Sequence, residues 1–257
     1  MSIGRRVATV VMEARRTESG SGRAFPGVIV VMAKEPQAGR VKTRLCPPLT
    51  PEMAARCHEA FVTDTLGRLG AATSGWARRE LAVAPAGASP RLRALAAASG
   101  WRCVDQEGAD LGARMRELLA AGIANGATVV LVGSDSPDLP AERVSQAFRA
   151  LESSDVVLGP AMDGGYYLIG CRGSVPEIFG REIAWGGPSV LRETLACLAA
   201  AGVAAALLDP WPDVDDWAGL VALARRLRST PDARSSELAP QSTIRFLAEL
   251  AEQGMSL

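Results

Sequence analysis

The chain has 257 residues, 48% hydrophobic and 22% charged, and its 28 basic side chains are balanced by 28 acidic ones. A globular protein with a substantial core fits this composition, and zero net charge without a basic stripe argues against nucleic acid as the main partner. No apolar run approaches the roughly 20 residues of a membrane span, so no membrane partner is expected.

Residues 1–26 are rich in Arg, Ser and Gly after a short apolar stretch, and they lack the h-region and cleavage site of a signal peptide. They read as a poorly ordered extension ahead of a single domain over 27–254. The first clear strand is 28–33 (VIVVMA), a continuous apolar run of the kind buried on both faces of a sheet. A loop with glycine and several cations, 34–45, leads to a helix over about 50–69. Thr50 suits its N-cap, Pro51 its first turn and Gly70 its stop. The single histidine, His58, lies in this helical pattern and reads as a plain surface or core residue. Strands at 81–84 and 101–105 alternate with helices at 90–99 and 111–125. The strongest strand, 128–132 (TVVLV), precedes a helix at 140–151, strands at 155–158 and 166–170, a helix at 188–201, a strand at 204–208 and a helix at 217–227. Residues 229–240 read as a surface loop and 242–252 as a last amphipathic helix. This alternation predicts an α/β fold with a mostly parallel central sheet covered on both faces. The five cysteines are odd in number and form no C-x-x-C pair. A disulfide framework or zinc site is therefore not expected, and a reducing, cytoplasmic location fits.

In an open α/β sheet, ligands bind outside the carboxyl ends of the strands, so the residues that follow each apolar run are the candidates. After 28–33 come Lys34, Arg40, Lys42 and Arg44 around Gly39: cations for phosphate oxygens, and a glycine for close backbone approach. A solvated basic loop is the alternative. After 128–132 come Ser134 and Asp135, then Asp138. Asp135 stands where a hard cation such as Mg²⁺ or Mn²⁺ could be held to bridge phosphates, with Ser134 beside it, whereas Asp138 suits the cap of the next helix. After 155–158 come Asp163, Gly164, Gly165 and Tyr166, either a hairpin turn or an approach for an acceptor. After 204–208 come Asp213, Asp215 and Asp216, a second acidic cluster that could complete a metal site. Asp216 also suits the cap of the helix at 217.

The stretches VMAKEPQAGRVKTRL (31–45), GSDSPDLP (133–140), DGGYYLIG (163–170) and QEGADLGARM (106–115) together resemble the radical-SAM/selenodomain-associated transferases. Those bacterial proteins are often labelled arsenosugar-biosynthesis glycosyltransferases, and the resemblance spans about residues 28–250. It implies a GT-A-like, Rossmann-like three-layer sandwich within the nucleotide-diphospho-sugar transferase superfamily. The family is in turn similar to molybdenum-cofactor and 2-phospholactate guanylyltransferases. The resemblance implies that Asp135 and Asp215 hold the metal, to which the acidic cluster adds Asp213, and that Gln106 belongs to the nucleotide site. It further implies that Trp185 contacts the acceptor, although the usual Trp-Ser-Thr there reads Trp185-Gly186-Gly187. Likewise the usual Asp-Thr-Pro reads Asp215-Asp216-Trp217.

The expectation is thus a metal-dependent glycosyltransferase. It would use a nucleotide sugar and a small-molecule acceptor, with Lys42 assisting the leaving diphosphate and Asp163 orienting the acceptor hydroxyl. Nucleotidyl transfer from a nucleoside triphosphate is the alternative, which the cation-rich loop suits at least as well. A non-catalytic nucleotide-binding protein is the third reading.

Overall fold

The computed structural model describes residues 27–180, 183–229 and 238–257. The expected extension at 1–26 and most of the loop expected at 229–240 lie outside them. The strands are β1 (Gly27–Lys34), β2 (Ala77–Ala84), β3 (Arg102–Asp105), β4 (Thr128–Gly133), β5 (Val156–Pro160), β6 (Tyr166–Cys171) and β7 (Ala205–Leu207). The helices are α1 (Pro51–Ala72), α2 (Pro90–Ser99), α3 (Leu111–Ala124), α4 (Glu142–Ala150), α5 (Val190–Ala200), α6 (Trp217–Ser229) and α7 (Gln241–Glu252).

The seven strands form one sheet in the order β3-β2-β1-β4-β6-β5-β7. All pairings are parallel except those of β6, which is antiparallel to both β4 and β5. The exception follows from chain length: the turn after β5 is too short for a crossover helix, so β6 must run back. The apolar runs are buried on both sides, as their composition requires. In β1, Ile29 and Val31 pack with Val62, Leu66 and Val144 of α1 and α4. Their neighbours Val28 and Val30 pack on the other face with Met115 and Leu119 of α3. A third cluster ties Phe61 on the outer face of α1 to Leu220, Leu223 and Leu250 of α6 and α7. Among the described residues no helix is long and apolar enough to cross a membrane, and the five cysteines are unpaired as thiols.

Two local expectations need correction. Thr50 caps α1 as expected, its side chain accepting from the Met53 amide at 3.3 Å. The helix does not stop at Gly70, however; it runs on to Ala72. Gly70 is small because Trp101 lies over it: an added Cβ would stand 3.1 Å from Trp101 Nε1. Asp138 caps nothing. Its carboxylate is paired with Arg226 Nε at 2.9 Å and accepts from Trp211 Nε1 at 3.3 Å, fastening the end of β4 to α6.

Candidate active site

The order reverses between β1 and β4: β1 leads outward to β2 and β3, while β4 begins the other half of the sheet. A crevice opens at such a switch point. A cavity of about 610 Å³ lies there. The loop after β1 lines it with Lys34, Arg40, Lys42 and Arg44, and the end of β4 with Ser134 and Asp135. Asp163, Gly165 and Tyr166 line it from the β5–β6 hairpin, and Asp213 and Asp215 from the loop after β7. Gln106 after β3 and Trp185 before α5 complete the wall.

At the centre is Lys42. Its Nζ is 2.6 Å from Asp135 Oδ1 and 3.4 Å from Asp215 Oδ1, and it donates to the Val214 carbonyl at 2.5 Å. Lys42 is the one non-glycine with positive φ among the described residues (φ 46°). Its side chain is only 5% exposed, against 45% for Asp135. Burial alone would lower the lysine pKa, but the Asp135 carboxylate beside it reverses the sign and holds the ammonium above its usual value. Burial likewise pulls Asp135 upward, and the Lys42 ammonium, helped by His58, overrides it and holds the carboxyl below the usual range. Arg44, on the rim, reaches Asp215 Oδ2 at 3.7 Å.

The loops bearing these acids are laced together. Val214 N–H donates to the Asp135 carbonyl at 3.0 Å, and Ser136 Oγ to the Pro212 carbonyl at 3.0 Å. Asp163, Asp213 and Asp215 bring one oxygen each within 4.8 Å of one another. Burial, then the neighbouring charges of Asp163 and Asp215, push the Asp213 carboxyl up to about 6. Three crowded carboxylates, one already resisting ionisation, are the donor chemistry of a hard divalent cation. The compact trio is therefore Asp163, Asp213 and Asp215, whereas Asp135, expected as the first metal ligand, faces Lys42. Asp216 stands apart, its Oδ1 accepting from the Gly219 amide at 2.8 Å at the start of α6.

The remaining expected residues divide. The Gln106 amide donates to the Ala33 and Ala82 carbonyls at 3.0 and 2.8 Å, pinning the ends of β1 and β2, so only its oxygen remains for a ligand. Gly39 and Gly164 do not line the cavity, contrary to expectation. Gly39 serves a turn through its positive φ of 72°, with open space around its Cβ position. Gly164, at φ 92°, has no room for a side chain because the Pro188 carbonyl oxygen would lie 2.0 Å from it. Asp163-Gly164-Gly165 is a hairpin turn and an edge of the cavity at once, for Gly165 N–H donates to Asp163 Oδ1 at 2.8 Å. Trp185 is held as part of the wall, stacked on Phe179 with ring centroids 5.7 Å apart and seated over Gly112 of α3. Two charged or titratable lining residues that the sequence reading missed are His58 and Arg114. His58 is buried, with Nε2 2.9 Å from the Lys34 carbonyl, and burial lowers its pKa. Arg114 lies within the 106–115 motif, and only the cluster of charges there signals it.

Residues 68–187 match the family described as "Uncharacterized protein conserved in bacteria", DUF2064. A protein of Desulfovibrio desulfuricans G20 of known structure, provisionally named a nucleotide-diphospho-sugar transferase, is 33% identical with a TM-score of 0.78. That alignment covers 89% of this chain and 96% of the other. The 3-phospho-D-glycerate guanylyltransferase of Phenylobacterium zucineum (strain HLK1) is 37% identical over 139 residues, 52% of this chain. The chain spans 62% of that relative's length. A cytidylyltransferase of Leptospira borgpetersenii shares the fold, with a TM-score of 0.56 at 10% identity over 90% of this chain and 95% of the other. The chain belongs to one family with the Desulfovibrio protein, its residues 68–187 match DUF2064, and its α/β fold is that of the nucleotide-diphospho-sugar transferases.

Proposed function

We propose that this protein is a divalent-metal-dependent nucleotidyltransferase, joining the nucleoside monophosphate of a triphosphate to a small phosphorylated acid. The observation that carries the reading is the meeting of Lys42, Asp135 and Asp215 beside the Asp163–Asp213–Asp215 trio in the lining of one cavity. The guanylyltransferase relative supports this alternative over the glycosyl transfer that the motifs had put first, and it makes GTP and 3-phospho-D-glycerate the first pair to try.

In the reaction, an anionic oxygen of the acceptor attacks the α-phosphorus. The new P–O bond forms as the bond to the β-phosphate oxygen breaks, and pyrophosphate leaves with that electron pair. Such an acceptor oxygen is already ionised, so the base role expected of Asp163 is not needed. That carboxylate serves better with Asp213 and Asp215 in holding the metal. Bound there, the ion would neutralise charge that spreads over the phosphate oxygens. Lys42, fixed by Asp135 and the Val214 carbonyl, presents a positive charge that needs no reorganisation during the reaction. Lys34, Arg40 and Arg44 on the outer loop meet the β- and γ-phosphates. Ser134 offers a hydroxyl at the end of β4, and the Gln106 oxygen accepts from the nucleotide. Gly165, Tyr166 and Trp185 form the acceptor's side.

Glycosyl transfer is the second reading, favoured by the name of the Desulfovibrio relative. An arsenosugar acceptor would belong to it, and nothing in the relatives above points to one. The test is product analysis with Mn²⁺ and either Mg²⁺ or no metal. Each nucleoside triphosphate is offered with 3-phospho-D-glycerate, and UDP- and GDP-sugars are offered in parallel. Acceptor-dependent pyrophosphate release supports nucleotidyl transfer. Release of a nucleoside diphosphate from a sugar donor, with no pyrophosphate from any triphosphate, replaces it with glycosyl transfer.

A further inference from the structure

Three oxygens meet the Lys42 ammonium: Asp135 Oδ1 at 2.6 Å, the Val214 carbonyl at 2.5 Å and Asp215 Oδ1 at 3.4 Å. This is an all-oxygen nest of the kind that hard cations occupy. Asp215 belongs to this nest and also to the trio with Asp163 and Asp213. Two cation positions thus share one carboxylate, the arrangement by which two-metal enzymes clamp the entering and leaving oxygens of a phosphoryl transfer. We infer that Lys42 permanently fills one of these positions, so that the chain takes a single divalent ion where a two-metal enzyme would take two. The inference rests on the proposed metal-dependent phosphoryl chemistry and adds its stoichiometry.

The lysine is built into this place. Its backbone is left-handed (φ 46°, ψ 38°), a conformation that an L side chain keeps only where its surroundings hold it. The 3₁₀ turn Thr43–Leu45 follows at once, and Leu45 is fully buried. The hydrogen bond from Val214 N–H to the Asp135 carbonyl closes the two acid-bearing loops around the ammonium. A second divalent ion between Asp135 and Asp215 would have to displace the lysine from all three oxygens. Of the carboxylates that line the cavity near Lys42, Asp135 is held by the lysine, which leaves Asp163, Asp213 and Asp215 to hold the ion. Asp138 and Asp216 are committed to Arg226 and to the start of α6.

The test counts ions. Mn²⁺ bound per chain is measured by calorimetry and by electron paramagnetic resonance, without nucleotide, for the parent protein, Lys42→Ala and Lys42→Met. Circular dichroism melts check that each is folded. The parent should bind one Mn²⁺. Lys42→Ala, which empties the nest, should bind two, with the dipolar line broadening of adjacent Mn²⁺ ions. Lys42→Met, which fills the space without charge, should bind one, and it keeps the test decisive if the alanine variant unfolds. Two ions in the parent or in Lys42→Met, or one in a folded Lys42→Ala, overturns the inference. Two ions in the parent would leave the proposed function standing, whereas no Mn²⁺ on the parent would remove its metal and this inference together.

Discussion

The Lys42 ammonium and the Asp135 carboxylate face one another at 2.6 Å across the junction of β1 and β4. The lysine is almost fully enclosed and the aspartate is 45% exposed, so the pair is partly screened on one side only. Removing one partner of a fully buried pair costs roughly 3–5 kcal/mol. For Asp135→Asn the exposure reduces this to about 1–3 kcal/mol. Urea denaturation should show the loss, and nucleotide-dependent thermal shift should disappear in the folded variant. Full retention of that shift would put Asp135 outside the site.

Asp138, three residues on, should behave oppositely. Its carboxylate is 9% exposed and pairs with Arg226 at 2.9 Å. Asp138→Ala should destabilise by about 2–4 kcal/mol while leaving Mn²⁺ affinity within twofold. A tenfold loss of metal binding in the folded protein would show that this acid also serves the cation.

The Asp213 carboxyl, raised to about 6, makes metal binding depend on pH. Its ordinary value is 3.8, so between about 4 and 6 the folded state holds a proton that the unfolded chain has lost. The metal-free protein should therefore lose stability as pH rises through this window, while Mn²⁺ affinity rises. Melts at pH 5 and pH 7, with and without Mn²⁺, check both signs. Asp213→Asn should flatten the metal-free trend.

Gly164→Ala should be among the most damaging small substitutions. It combines a left-handed backbone (φ 92°) with a 2.0 Å approach of the new Cβ to the Pro188 carbonyl oxygen. Strain and overpacking of this kind each cost about 1–3 kcal/mol. A fall in melting temperature of roughly 10 °C or more is expected, and a variant as stable as the parent would disprove the packing.

Most of the fold was legible because both faces of the sheet are buried. The run at Val28–Ala33 has to feed two cores at once, which gives it an unbroken apolar signature. The antiparallel course of β6 left no such mark, since its direction is set by the length of the turn before it and not by its own residues. At the site, the strand ends identified where the acids would emerge, but not which acids would meet. Asp135 and Asp138 have the same chemistry. One ends beside Lys42 and the other beside Arg226 because of how the loop after β7 and helix α6 dock, and that docking lies far away in sequence. The glycines misled for a related reason: Gly39 and Gly164 answer to backbone geometry and to Pro188, neither of which is written locally.

Lys42 and Asp215 lie 173 residues apart along the chain yet meet in one contact. A growing polypeptide releases its amino-terminal strands first, and these can begin to fold while the rest is still being made. No such partial chain can assemble the carboxylate trio before Asp213 and Asp215 have emerged and docked. Uptake of the divalent ion would then mark the completion of folding and not its onset. A ribosome-tethered fragment ending before residue 213 should remain blind to manganese, even with its first four strands in place.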